Sequence, residues 1–125
     1  VLIVRGTEAG AHQQGTGRDW LAQQITAAGG RVDFVVAYTR GAPDWTEAQR
    51  TQARTAASDG ALWLLSSPQA LDNLPAALPG QAWDRAHALA THPRIAQAAR
   101  ALGFASVHEC RPALTDVAAS IESMP

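Results

Sequence analysis

Short apolar runs alternate five times with stretches of helical spacing along this chain of 125 residues, and no pair of runs is joined by a hairpin-type turn. That order restricts the fold more than any single motif. Strands that regularly alternate with helices pair in parallel, because each helix carries the chain back to the starting edge of the sheet. "VLIVR" (1–5) is a continuous apolar run closed by glycine, as expected of a strand covered on both faces. The glycine-rich polar stretch from Gly6 to Gly17 reads as a loop. In "RDWLAQQITAAGG" (18–30), Trp20, Leu21, Gln24, Ile25 and Ala28 fall at helical spacing before Gly29 and Gly30 stop the helix. "VDFVVAY" (32–38) is the second strand.

The second half repeats the pattern. Asp44 is placed to cap a helix running to about Ser58, with Glu47 in its first turn. "ALWLLSS" (61–67) is the third strand, followed by a helix with Pro68 at its first position. Two prolines and a glycine between Asn73 and Ala86 predict a broken helix or loop. "HALATH" (87–92) is a fourth strand, 93–104 a helix between Pro93 and Gly103, "ASVHEC" (105–110) a fifth strand and 113–123 a last helix. The predicted class is α/β, a parallel sheet with alternating strands and helices.

Composition removes several mechanisms. All ten positive charges are arginine, so a Schiff-base, pyridoxal-phosphate or P-loop lysine is absent from this sequence. A formal charge of −1, with arginines spread along the chain, argues against nucleic acid as a partner. No apolar run reaches the length needed to span a bilayer, so no membrane association is expected. The single cysteine, Cys110, makes no internal disulfide, and the cytoplasm is the natural compartment. The chain opens on "VLIVRG" without methionine and reads as a piece of something longer.

Ligands of open parallel sheets bind where strands end and helices begin, since free N–H groups converge there. The residues at these junctions are Arg5 and Gly6, then Tyr38, Thr39 and Arg40, then Ser66 and Ser67, then Thr91, His92, Pro93 and Arg94, and finally Arg111. A dinucleotide loop fits poorly: Trp20 stands where its third glycine belongs, and the second strand ends in Tyr38 rather than an acid. His12, His87, His92 and His108 do not fall at metal-ligand spacing, and no metal is expected. Ser66 and Ser67 lack a nucleophile-elbow context and read as anion donors. Core packing is the favoured reading for at least three of Trp20, Trp45, Trp63 and Trp83, and Cys110 reads as a small core residue. Arginines, hydroxyls, helix N-termini and one tyrosine suit a polyanionic ligand handled without cofactor.

"LIVRG", the "GRDW" helix start, "GGRVDFVVAYTR", "LLSSPQAL" and "THPRIAQAARALGFASVHEC" occur in the order and at the distances of one family. Together they resemble uroporphyrinogen-III synthase of the proteobacterial type, over almost the whole chain. The resemblance implies two flavodoxin-like lobes of which this chain is the C-terminal half. Residues 1–40 would be the last β-α-β portion of lobe two plus the returning linker strand, and 41–125 the C-terminal part of lobe one. It also implies a cofactor-independent hydro-lyase of heme and porphyrin biosynthesis. Its substrate would be the linear tetrapyrrole hydroxymethylbilane, cyclised with ring D inversion and loss of water by a protein that is monomeric when full length.

Tyr38 matches the family's functional tyrosine, implied to assist departure of the hydroxyl; a phenol keeps its proton at neutral pH and can donate it. Arg5, Gly6, Arg18, Arg40, Ser66, Ser67, Thr91, His92 and Arg94 are the implied substrate-binding residues. Where the family carries a hydroxyl pair at a helix start, this sequence has Pro93 and Arg94, leaving Thr91 and His92 as substitutes. The same α/β pattern is open to two other readings: a non-catalytic flavodoxin-like module that binds a small ligand, or an inactive fragment. A receiver module is disfavoured because it needs a lysine.

Overall fold

A computed structural model describes residues 1–8 and 19–124. The chain divides into two compact units, Val1–Gly41 and Ala42–Pro125, and both are α/β with parallel strands alternating with helices, as in flavodoxin-like folds.

In the first unit, β1 (Leu2–Glu8) and β2 (Asp33–Arg40) pair in parallel across α1 (Asp19–Ala27). β1 is longer than predicted. Gly6, Thr7 and Glu8 were expected to open a loop, but they pair with Tyr38, Thr39 and Arg40, and a Glu8–Arg40 ion pair of 3.0 Å closes the end of the ladder. Thr7 is buried, which its polar neighbours in sequence do not suggest. The remaining part of that predicted loop, 9–17, lies outside the described residues.

The ladder slips by one residue between Arg5 and Gly6. Arg5 stands opposite Val36 and Gly6 opposite Tyr38, so Ala37 is an extra residue in β2, a β-bulge. Partners in a ladder share a face, and side chains alternate between faces. Ile3, Arg5 and Phe34 therefore lie on the face beside α1, with the Arg5 guanidinium bonded to Asp19 at 3.4 Å. Leu2, Val4 and Val35 lie on the other face and are exposed.

The second unit holds a three-stranded parallel sheet in the order β3 (Leu62–Leu65), β4 (His87–Ala90), β5 (Ser106–Glu109). Around it run α2 (Glu47–Ala56), α3 (Pro68–Asp72), α4 (Leu74–Ala77), α5 (Pro93–Leu102) and α6 (Leu114–Ser123). The short α3 is the helix predicted after Pro68, and α4 is the helical turn within the broken stretch predicted between Asn73 and Ala86. The central strand is the most protected: Ala88, Leu89 and Ala90 are each 0% exposed. Small side chains there let α5 approach closely, burying Ile95, Ala96 and Ala99. Burying Leu89 alone is worth roughly 1.5–3 kcal/mol. Trp83, Phe104 and Trp63 form an aromatic cluster, the first two stacked at 4.9 Å between centroids and Trp63 edge-on to Trp83 at 5.2 Å. Trp45 packs on the same core, whereas Trp20 stays 67% exposed on α1.

Pro68 and Pro93 occupy first-turn positions as predicted, and Gly103 ends α5 with φ 104°, a left-handed backbone that glycine adopts without steric cost. The start of α2 differs from expectation. Thr46, not Asp44, is the cap: its hydroxyl accepts the Gln49 N–H at 3.2 Å and the Gln49 side chain accepts the Thr46 N–H at 2.8 Å.

Candidate functional site

In the first unit the chemistry gathers at the carboxyl ends of β1 and β2. Arg5 and Tyr38 end the strands predicted from the sequence, but Gly6 and Arg40, predicted to follow them, also lie within β1 and β2, so all four are strand residues. Arg5 is not presented to solvent as an anion receptor. Its guanidinium carbon sits 4.0 Å above the Phe34 ring, its Nη1 bonds Asp19, and its Nε is buried without a partner, as is the Thr7 hydroxyl. The strand pleat, which points residue 5 toward α1, accounts for this.

Gly6 is buried, and the space beside its Cα is filled by the Tyr38 ring. That ring lies on the exposed face of the sheet and is 56% exposed. The Arg40 guanidinium is 5.8 Å from its centroid and bonds Glu8 through Nε, while its remaining donors are those of a half-exposed side chain. The phenol thus lies near a cation on an open surface. An anion binding Arg40 would share it with Glu8 or displace that carboxylate; a part-exposed ion pair of this kind is worth at most about 1 kcal/mol, so displacement is inexpensive. Arg18 lies outside the described residues, as does His12.

In the second unit the junction residues line the carboxyl edge of the sheet, following β3 and β4 as predicted. Ser66 is exposed. Ser67 caps α3, its hydroxyl accepting the Ala70 N–H at 3.3 Å. Thr91 turns its hydroxyl back to the Leu65 carbonyl at 3.5 Å, while its N–H bonds the same oxygen at 3.1 Å, tying the end of β4 to β3. His92 caps α5, its Nδ1 accepting the Arg94 N–H at 3.1 Å. Arg94 is exposed in the first turn of α5. Ser67, Thr91 and His92 therefore already serve the backbone, and of this set Ser66 and Arg94 are the side chains best placed for a ligand. After β5, exposed Arg111 and half-buried Cys110 border an open concavity of about 380 Å³ against Asp116, Ser120 and Ser123 of α6.

Sequence reasoning missed Glu8, which looked like part of a loop, and the bulge at Ala37, which leaves no mark in composition. His87, one of the unassigned histidines, bonds Ser106 through Nδ1 at 2.7 Å. Among the described residues no group of three His, Cys, Asp or Glu side chains is arranged to hold a metal ion, and no helix is long and apolar enough to cross a membrane. No protein-family model matches the chain.

Proposed function

We propose that the protein is a uroporphyrinogen-III synthase in which Tyr38 is the phenolic acid. The supporting observation is the placement of the chain's single tyrosine on an open sheet face, with the Arg40 guanidinium 5.8 Å from its ring. The reaction converts hydroxymethylbilane to uroporphyrinogen III and water. Tyr38 donates a hydrogen bond or proton to the departing hydroxyl, and the carbon so released is attacked by ring D at its substituted position, giving the spiro intermediate that inverts the ring. A phenol can do this without metal or cofactor. Arg40, on the same unit as Tyr38, supplies donors for the substrate's carboxylates.

Incubation of the protein with hydroxymethylbilane, followed by separation of the oxidised isomers, tests the reading. Formation of the type III isomer supports it; only the spontaneous type I product overturns it. Saturable binding of the bilane with no type III product would instead favour a non-catalytic binding module. Tyr38→Phe should lower the type III rate by about 10²-fold or more, the usual scale for a lost general acid.

A further inference from the structure

The one-residue bulge at Ala37 decides which way Tyr38 points. In an unbroken strand, residue 38 would follow Phe34 and Val36 onto the face beside α1. The extra residue reverses the alternation and puts Tyr38 on the Val4 and Val35 face, opposite Gly6. A β-carbon built on Gly6 would clash with the phenol ring, with Cδ2 only 2.9 Å away and two other ring atoms closer still. No side chain fits there. Gly6 is not one of the glycines with positive φ, so its backbone does not require glycine; the ring does.

The geometry points to Gly6 and the Ala37 bulge acting together as a positioning device for Tyr38. The bulge aims the ring, and the bare backbone of Gly6 lets it lie against β1. Arg40, tied to Glu8, flanks it on the same face. A ring held this way presents its hydroxyl from a fixed place, and a fixed donor loses less entropy when it meets a substrate. The consequence for turnover rests on the reading of Tyr38 as a general acid; the positioning itself rests only on the ladder and the ring.

Two measurements on the whole chain test it. The first is a double-mutant cycle in urea. Gly6→Ala should lower the unfolding midpoint when Tyr38 is present. In a Tyr38→Ala background the same change should leave the midpoint unchanged or raise it, because the space is then empty and alanine suits a strand better than glycine. Equal losses in both backgrounds overturn the proposal, and the Tyr38→Ala background keeps the test valid if Gly6→Ala alone folds poorly. The second uses 3-fluorotyrosine, which gives a single fluorine signal because the chain has one tyrosine. Deleting Ala37 should move that signal and reduce its broadening by a soluble paramagnetic agent, as the ring turns toward α1. An unmoved signal in a folded protein overturns the aiming role. If the wild type makes type III isomer, Gly6→Ala should reduce kcat by 10-fold or more with little change in KM; a rise in KM with kcat unchanged overturns positioning. If the wild type makes none, the cyclase reading fails, while the cycle and the fluorine signal still decide the positioning.

Discussion

His92 shows how a residue at a predicted ligand junction can be occupied by the fold. Its ring nitrogen takes the place of a serine or aspartate oxygen at the start of α5. His92→Ala should cost about 1 kcal/mol, and His92→Asn should recover most of it, since asparagine is a preferred cap. Thermal unfolding checks this: a loss of that size in a unit of this length corresponds to a midpoint lower by about 4–8 °C. Thr46 teaches a related lesson. Asp44 with Glu47 and Thr46 with Gln49 both have capping-box spacing in the sequence, and the structure closes the box at Thr46, beside Trp45 packed on the core. Tyr38 was legible as the end of an apolar run. Its direction was not, because a one-residue slip changes the face without changing the residues.

Elements were far more legible than side-chain roles. Proline at the first turn and glycine at the stop marked α5 at both ends, and the alternating runs marked all five strands. Strand ends were misjudged where polar residues continue a ladder, as at Thr7 and Glu8, since pairing rather than hydrophobicity holds them. The alanines of β4 and α5 set how closely helix and sheet approach. Ala96→Leu should therefore destabilise by about 1–3 kcal/mol through overpacking, whereas Leu89→Ala should cost about 2–5 kcal/mol through the cavity it leaves. Urea titrations of both variants distinguish the mechanisms from a surface change, which would stay within about 0.5 kcal/mol.

At the scale of the molecule, the two units differ in protection. The core of the second is built on a strand shielded on both faces, while the first has, among its described residues, two strands with Leu2, Val4 and Val35 exposed on one face. A two-stranded sheet is marginal by itself. Hydrogen exchange should accordingly be faster for the amides of β1 and β2 than for those of β4; equal protection would contradict this ordering. Val4→Thr with Val35→Thr should reduce binding of a hydrophobic dye without affecting the second unit. The aromatic cluster makes that comparison optically convenient. Trp63 and Trp83, close and nearly perpendicular at 84°, should couple their excited states into a paired circular-dichroism band that vanishes when the second unit melts. Trp20, the exposed indole of the first unit, emits at longer wavelength, so a single sample yields two melting curves in different colours.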